Sequence, residues 1–259
     1  MAVRRNRFID AITPPRSKGH VLMNCLPEDQ SDKARRTLAA AHDLLTTRGI
    51  KAVTMSDVAE KAYVGKGTVY LYWPTKDDLL VGLIARDMLA VVDTLVAELT
   101  ADPELARPSR FCLLVFQTIT NRPLVAAFDA HDRDLLGAIL EHPRAMAFDE
   151  ALGPRALVSA LVPVWRRFGL ARTDWDVEEQ VLSLHALTIG IKESTVRPLP
   201  RFAGDYTHVY RKCVTALLGP EDADEAQIAS AASEIIDKLS VGRAAARSSL
   251  VISESRQNR

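Results

Sequence analysis

Between Gly65 and Lys76 the chain sets Lys66, Thr68, Tyr70 and Tyr72 among Val69 and Trp73. Read as a short helix, Val69 and Trp73 fall on one side and face a core, leaving an ammonium and three hydroxyls on the other. Gly65 and Gly67 keep the start of that helix slim, so its backbone can approach a surface closely, and the unpaired amides there favour an anion. A threonine presents a methyl and a hydroxyl to a base edge, whereas tyrosine hydroxyls and lysine suit phosphate oxygens. Lys76 adds a positive charge beyond Pro74, and Thr54 lies upstream at the start of the preceding segment. The chemistry is non-covalent recognition of double-stranded DNA, with Thr54, Lys66, Gly67, Thr68, Tyr70, Tyr72 and Lys76 as the candidate contacts.

Such a helix needs partners to hold it. Ser31 can cap a helix whose apolar face is Ala34, Leu38, Ala41 and Leu45, stopped by Gly49. Thr54-Met55-Ser56-Asp57 reads as a capping box, opening a second helix that buries Val58, Ala59 and Ala62. Tyr63-Val64-Gly65 interrupts it before Lys66. Thr75-Lys76-Asp77-Asp78 is another capping box, opening a long helix through Leu79, Leu83, Leu89, Val92 and Leu95 to about Leu99. Two short helices joined by three residues, with a third packed ahead of them, form the tri-helical unit that places its last helix in the major groove.

The stretch TMSDVAEKAYVGKGTVYLYWPTKDDLL resembles the DNA-binding domain of the tetracycline-repressor (TetR) family. That family typically reads T-x-x-x-I-A-x-x-A-G-V-S-x-G-T-L-Y-x-Y-F-x-x-K-x-x-L. The match runs through Thr54, Val58, Ala59, Ala62, Val64, Gly67, Thr68, Val69, Tyr70, Tyr72, Trp73, Lys76 and Leu79, and the resemblance covers about residues 34–82. It implies an all-helical homodimer with a larger ligand-binding domain, a repressor released from its operator by a small molecule. Two positions depart from the pattern. Tyr63 stands where the family usually has Gly, at a turn that often needs positive φ, where a bulky residue costs about 1 kcal/mol or more; the turn is either remodelled or Tyr63 adds a phosphate contact. Gly65 replaces the family's Ser cap.

Composition sets the outer bounds. The 259 residues carry 33 Lys+Arg and 33 Asp+Glu with 47% hydrophobic residues, the balance of a globular protein of one large or two modest domains. The neutral total conceals an asymmetry: residues 1–86 hold 14 basic and 9 acidic side chains, the remainder 19 and 24. Cys25, Cys112 and Cys213 lie far apart, which argues against a disulfide framework or zinc site and fits a reducing cytoplasm. No apolar run suits a membrane span or a cleaved leader. His131, Asp132 and His142 lack the tight spacing of a metal site, and no cofactor motif appears.

The pattern predicts an all-α chain. A disordered basic extension is expected over 1–30, with Arg4, Arg5, Arg7, Arg16 and Lys18. The helix-turn-helix domain follows over 31–82, a helical ligand-binding and dimerisation domain over 83–240, and a frayed tail over 241–259. Past Pro103, helices are expected over 109–119, 123–141, 147–169, 174–195, 205–218 and 223–240, punctuated by Gly and Pro. In the resembled family the last two helices of the common fold pair with a partner chain. Here that place falls to Val177, Val181, Leu184, Thr188 and Ile191, and to a second stripe of Tyr206, Val209, Tyr210, Cys213 and Leu217. Either stripe also suits a monomer core. Candidate ligand contacts are Phe111, Val115, Phe128, Trp165 and Phe168, with His185 and Arg166 as polar groups. A ligand would act by shifting the long helix and so the spacing of two reading helices.

Three readings compete: a ligand-released regulator, a DNA-binding regulator without a small-molecule ligand, and a helical enzyme. The chain carries no Gly-rich phosphate loop, GxSxG or HExxH, which weighs against the last.

Overall fold

The computed structural model describes residues 26–122, 124, 141–196, 202 and 204–250. Among them there is helix and turn and no strand. The helices are α1 (Pro27–Gln30), α2 (Asp32–Arg48), α3 (Met55–Lys61), α4 (Lys66–Tyr72), α5 (Lys76–Ala101), α6 (Pro108–Thr120), α7 (Pro143–Leu152), α8 (Pro154–Arg167), α9 (Val177–Val196), α10 (Tyr206–Leu218) and α11 (Glu225–Ser249), with a 3-10 turn at Pro103–Ala106.

Local chemistry sets where the first helices begin. The Ser31 hydroxyl accepts from the Ala34 amide at the start of α2. At α3 the Thr54 hydroxyl accepts from the Asp57 amide while the Asp57 carboxylate accepts from the Thr54 amide, and Thr75 with Asp78 does the same for α5. Each such box satisfies donors that would otherwise be orphaned at a helix start. Ala34, Leu38, Ala41, Leu45, Val58, Ala59, Val69 and Trp73 then share one core with Leu79 and Leu80 of α5. Trp73 crosses α5 closely: a Cβ at Gly82 would stand 3.1 Å from the indole Nε1, so glycine there admits the ring.

A second core joins α5, α6, α8, α9, α10 and α11 around Leu95, Phe111, Phe116, Trp165, Leu184 and Tyr210. The Trp165 indole N–H donates to the Ala106 carbonyl at 2.8 Å, and Phe111 meets its ring edge-on. Burial pushes the Cys112 thiol up to about 12, and Tyr210 beside it is also raised by burial.

Three boundaries differ from the sequence reading. The single helix expected over 147–169 is two, because Gly153 closes α7 and Pro154 opens α8 with no amide left unpaired by its ring. The helix expected to end near 240 continues as α11 to Ser249, since Ala246 and Leu250 bury against Ala85, Leu89 and Phe148. The extension expected to be disordered over 1–30 carries α1 at its end: Leu26 joins that same cluster, Glu28 grips Arg86 and Asp29 pairs with Arg247. Residues 1–25 and most of 123–141 lie outside the described set.

Candidate nucleic-acid interface

Helix α4 is oriented by its two apolar residues. Val69 is fully buried and Trp73 nearly so, which turns Lys66, Gly67 and Tyr70 outward and leaves Thr68 half-buried beside them. The Lys66 ammonium lies over the Tyr70 ring at 5.9 Å from its centroid, one helical turn on. These four residues form one outward surface. Nothing within 4 Å would meet a Cβ at Gly67. Internal packing therefore does not require glycine at this second position of α4, where alanine is the better helix former.

The remaining candidates are engaged inside the protein. The Tyr72 hydroxyl is 2.7 Å from the Ser31 hydroxyl, tying α4 to the cap of α2, and its ring lies tilted against Trp73. The Lys76 ammonium donates to the Ile50 carbonyl at 2.7 Å, and desolvation there holds its pKa below the ordinary lysine value. The Thr54 hydroxyl donates to the Asp57 carboxylate at 2.6 Å, and these bonds keep that carboxyl more acidic than usual. Thr54 and Lys76 sit at the starts of α3 and α5 and Tyr72 at the end of α4, and together they position α4; of the candidates, Lys66, Thr68 and Tyr70 have side-chain donors with no hydrogen-bond partner among the described residues.

The turn before α4 is not remodelled. Tyr63 holds φ 54, its amide bonds Glu60 O, and the Val64 amide reaches back to Ala59 O at 3.0 Å. This is the Schellman closure of a helix end, with tyrosine at the left-handed position that glycine normally fills. For an L-residue the conformation costs roughly 1–2 kcal/mol. The Tyr63 side chain is 87% exposed, and Leu71 on α4 is 61% exposed. Leu71 is absent from the expected contacts, and Tyr63 stands there only as the alternative phosphate contact at the turn.

In the second domain, the expected pairing stripe faces the protein's own core. Leu184 and Tyr210 are buried, Val177, Val181, Ile191 and Leu217 pack on that core, and the Thr188 and Tyr210 hydroxyls lie 2.7 Å apart. Val209 and Cys213 are half-buried, and Tyr206 packs edge-on against Phe202. The exposed residues of α9 are instead Leu182, Ala186 and Ile189, together with Glu178, Glu179, Gly190 and Glu193. Of the candidate ligand contacts, Phe111 and Trp165 are fully buried, and Val115 and Phe168 pack beside them. His185 has a buried Nδ1 with no hydrogen-bond partner. Arg166 is occupied by Gln180 and by the Trp175 carbonyl. Phe128, His131 and Asp132 lie outside the described residues. His142 is 3.3 Å from Asp78, and among the described residues no His, Cys, Asp and Glu side chains gather in a group able to hold a metal ion. No described helix is long and apolar enough to cross a membrane.

Fold and site together define a helix-turn-helix protein. Residues 38–83 match the model of bacterial regulatory proteins of the tetR family. The likeness to that family lies in this N-terminal segment. It is 38% identical over 71 residues to the uncharacterized HTH-type transcriptional regulator YdeS of Bacillus subtilis (strain 168), covering 26% of this chain and 35% of that protein. To the HTH-type transcriptional repressor KstR of Rhodococcus jostii (strain RHA1) it is 43% identical over 58 residues, covering 22% and 27%. The matched region thus spans about a third or less of those relatives. Among solved structures, it resembles NalD, the secondary repressor of the MexAB-OprM multidrug efflux pump in Pseudomonas aeruginosa, with TM-score 0.51 and 19% identity over 74% of this chain and 98% of that one. RolR in complex with resorcinol aligns with TM-score 0.50 and 18% identity over 80% and 95%. At these identities the likeness is one of fold.

Proposed function

We propose that the protein is a transcriptional regulator that binds duplex DNA by seating α4 in the major groove, acting as a homodimeric repressor released by a small molecule. The observation that carries this reading is the outward surface of Lys66, Gly67, Thr68 and Tyr70 on a helix anchored by Val69 and Trp73. Thr54, Tyr72 and Lys76 act on DNA chiefly by fixing the angle of α4. The protein works in the cytoplasm, where its operator is, and as a stoichiometric binder it is not an enzyme.

The partner copy packs on the outward face of α9, where Leu182 and Ile189 stand one above the other across two turns. The effector enters the second domain near Phe111, Val115, Trp165 and Phe168, with the unpartnered Nδ1 of His185 as its polar anchor. A ligand that binds better when α5 is displaced would move α4 with it, because Trp73, Leu79 and Leu80 belong to one core.

The test is the affinity of wild type and Lys66→Ala for the protein's own upstream DNA and for random duplex across a range of salt. The expected result is preference for the upstream fragment, with a salt slope reduced by about one per lost phosphate contact in the variant. Equal affinity for both duplexes, or an unchanged slope, would remove sequence-specific regulation through α4.

A further inference from the structure

Tyr63 combines two properties that folding does not reward. It occupies a left-handed backbone position at φ 54, where the closure of α3 asks for glycine, and its side chain is 87% exposed. A ring so placed returns almost nothing in burial for the backbone cost it imposes. It stands three residues before Lys66, in the turn that leads into α4. Tyr70 and Leu71 of α4 are exposed as well. Among the described residues the Tyr63 hydroxyl has no hydrogen-bond acceptor, and a phosphate beside the groove would supply one.

We propose that Tyr63 is a DNA-binding residue whose phenolic hydroxyl donates a hydrogen bond to a backbone phosphate beside the groove that receives α4. This rests on the reading of α4 as the DNA-inserted helix. The contact is to backbone, so it strengthens binding to any sequence alike. The donor is neutral, so it releases no counterion and leaves the salt slope unchanged.

The experiment measures fluorescence anisotropy of a labelled random-sequence duplex with the full-length protein, alongside thermal unfolding, for Tyr63→Phe, Tyr63→Gly and Lys66→Ala. Tyr63→Phe keeps the ring and the strained backbone. It should melt as wild type and bind roughly three- to tenfold more weakly, with the same salt slope. Tyr63→Gly should bind as weakly or more so while melting at a higher temperature, a pairing that a purely structural role cannot produce. Lys66→Ala should weaken binding and flatten the slope. Wild-type affinity in both Tyr63 variants, with Lys66→Ala weakened, would overturn the proposal and leave the reading of α4 standing. Wild-type affinity in all three would overturn that reading itself.

Discussion

Gly67, the second residue of α4, has open space where a Cβ would go. Helix propensity alone favours alanine there by at most about 1 kcal/mol, the helix-interior value. Gly67→Ala should therefore raise the unfolding free energy by up to that amount while weakening DNA binding, because a methyl would stand between backbone and groove. Chemical denaturation and anisotropy on the same preparation check both halves; a variant that is stabilised and binds normally would leave the glycine without a role. The outward set of Lys66, Thr68 and Tyr70 was legible in the sequence, since the burial of Val69 and Trp73 fixes it by helical geometry. What remained hidden was the use of long polar side chains from outside α4. Whether a lysine such as Lys76 is free or turned back onto the Ile50 carbonyl depends on a residue 26 positions away, which periodicity does not report.

At the scale of elements, capping chemistry carried the most information. Ser31, Thr54 and Thr75 each begin a helix as their hydroxyls require, so the reading head was legible almost residue by residue. The stripe on α9 was legible too, but its destination was not. Leu184, Thr188 and Ile191 form the stronger stripe and the helix spends it on its own core, leaving the weaker pair of Leu182 and Ile189 exposed. The two uses look alike in a sequence because both are apolar residues at helical spacing. Leu182→Glu with Ile189→Glu should leave helicity and unfolding unchanged, since both sites are 46% exposed or more, and should lower the mass measured by light scattering to that of one chain. A double variant that still runs as the wild-type assembly would move the interface elsewhere.

Across the whole molecule, the two cores are stitched together at the base of α5. Asp78, the capping residue of α5, also accepts from Arg144 at 3.3 Å and lies beside His142, both at the start of α7. On the next turns Arg86 is held by Glu28 of α1, and Arg247 of α11 by Asp29. Leu26, Phe148, Ala246 and Leu250 close over Ala85 and Leu89 between them. The reading head is therefore not a bead on a string: segments from both chain ends clasp the helix that carries it. None of these pairings has a short-range signature, because each joins residues far apart in the chain. They supply a route by which a change in the second domain reaches α4, given two arrangements of the clasp that a ligand distinguishes.

The most direct measurement of the central claim is amide hydrogen exchange of the protein with and without its upstream DNA. Insertion of α4 predicts slowed exchange across residues 63–72, with the outward face of α9 unaltered. Unchanged exchange over 63–72, together with protection arising on another surface, would contradict it.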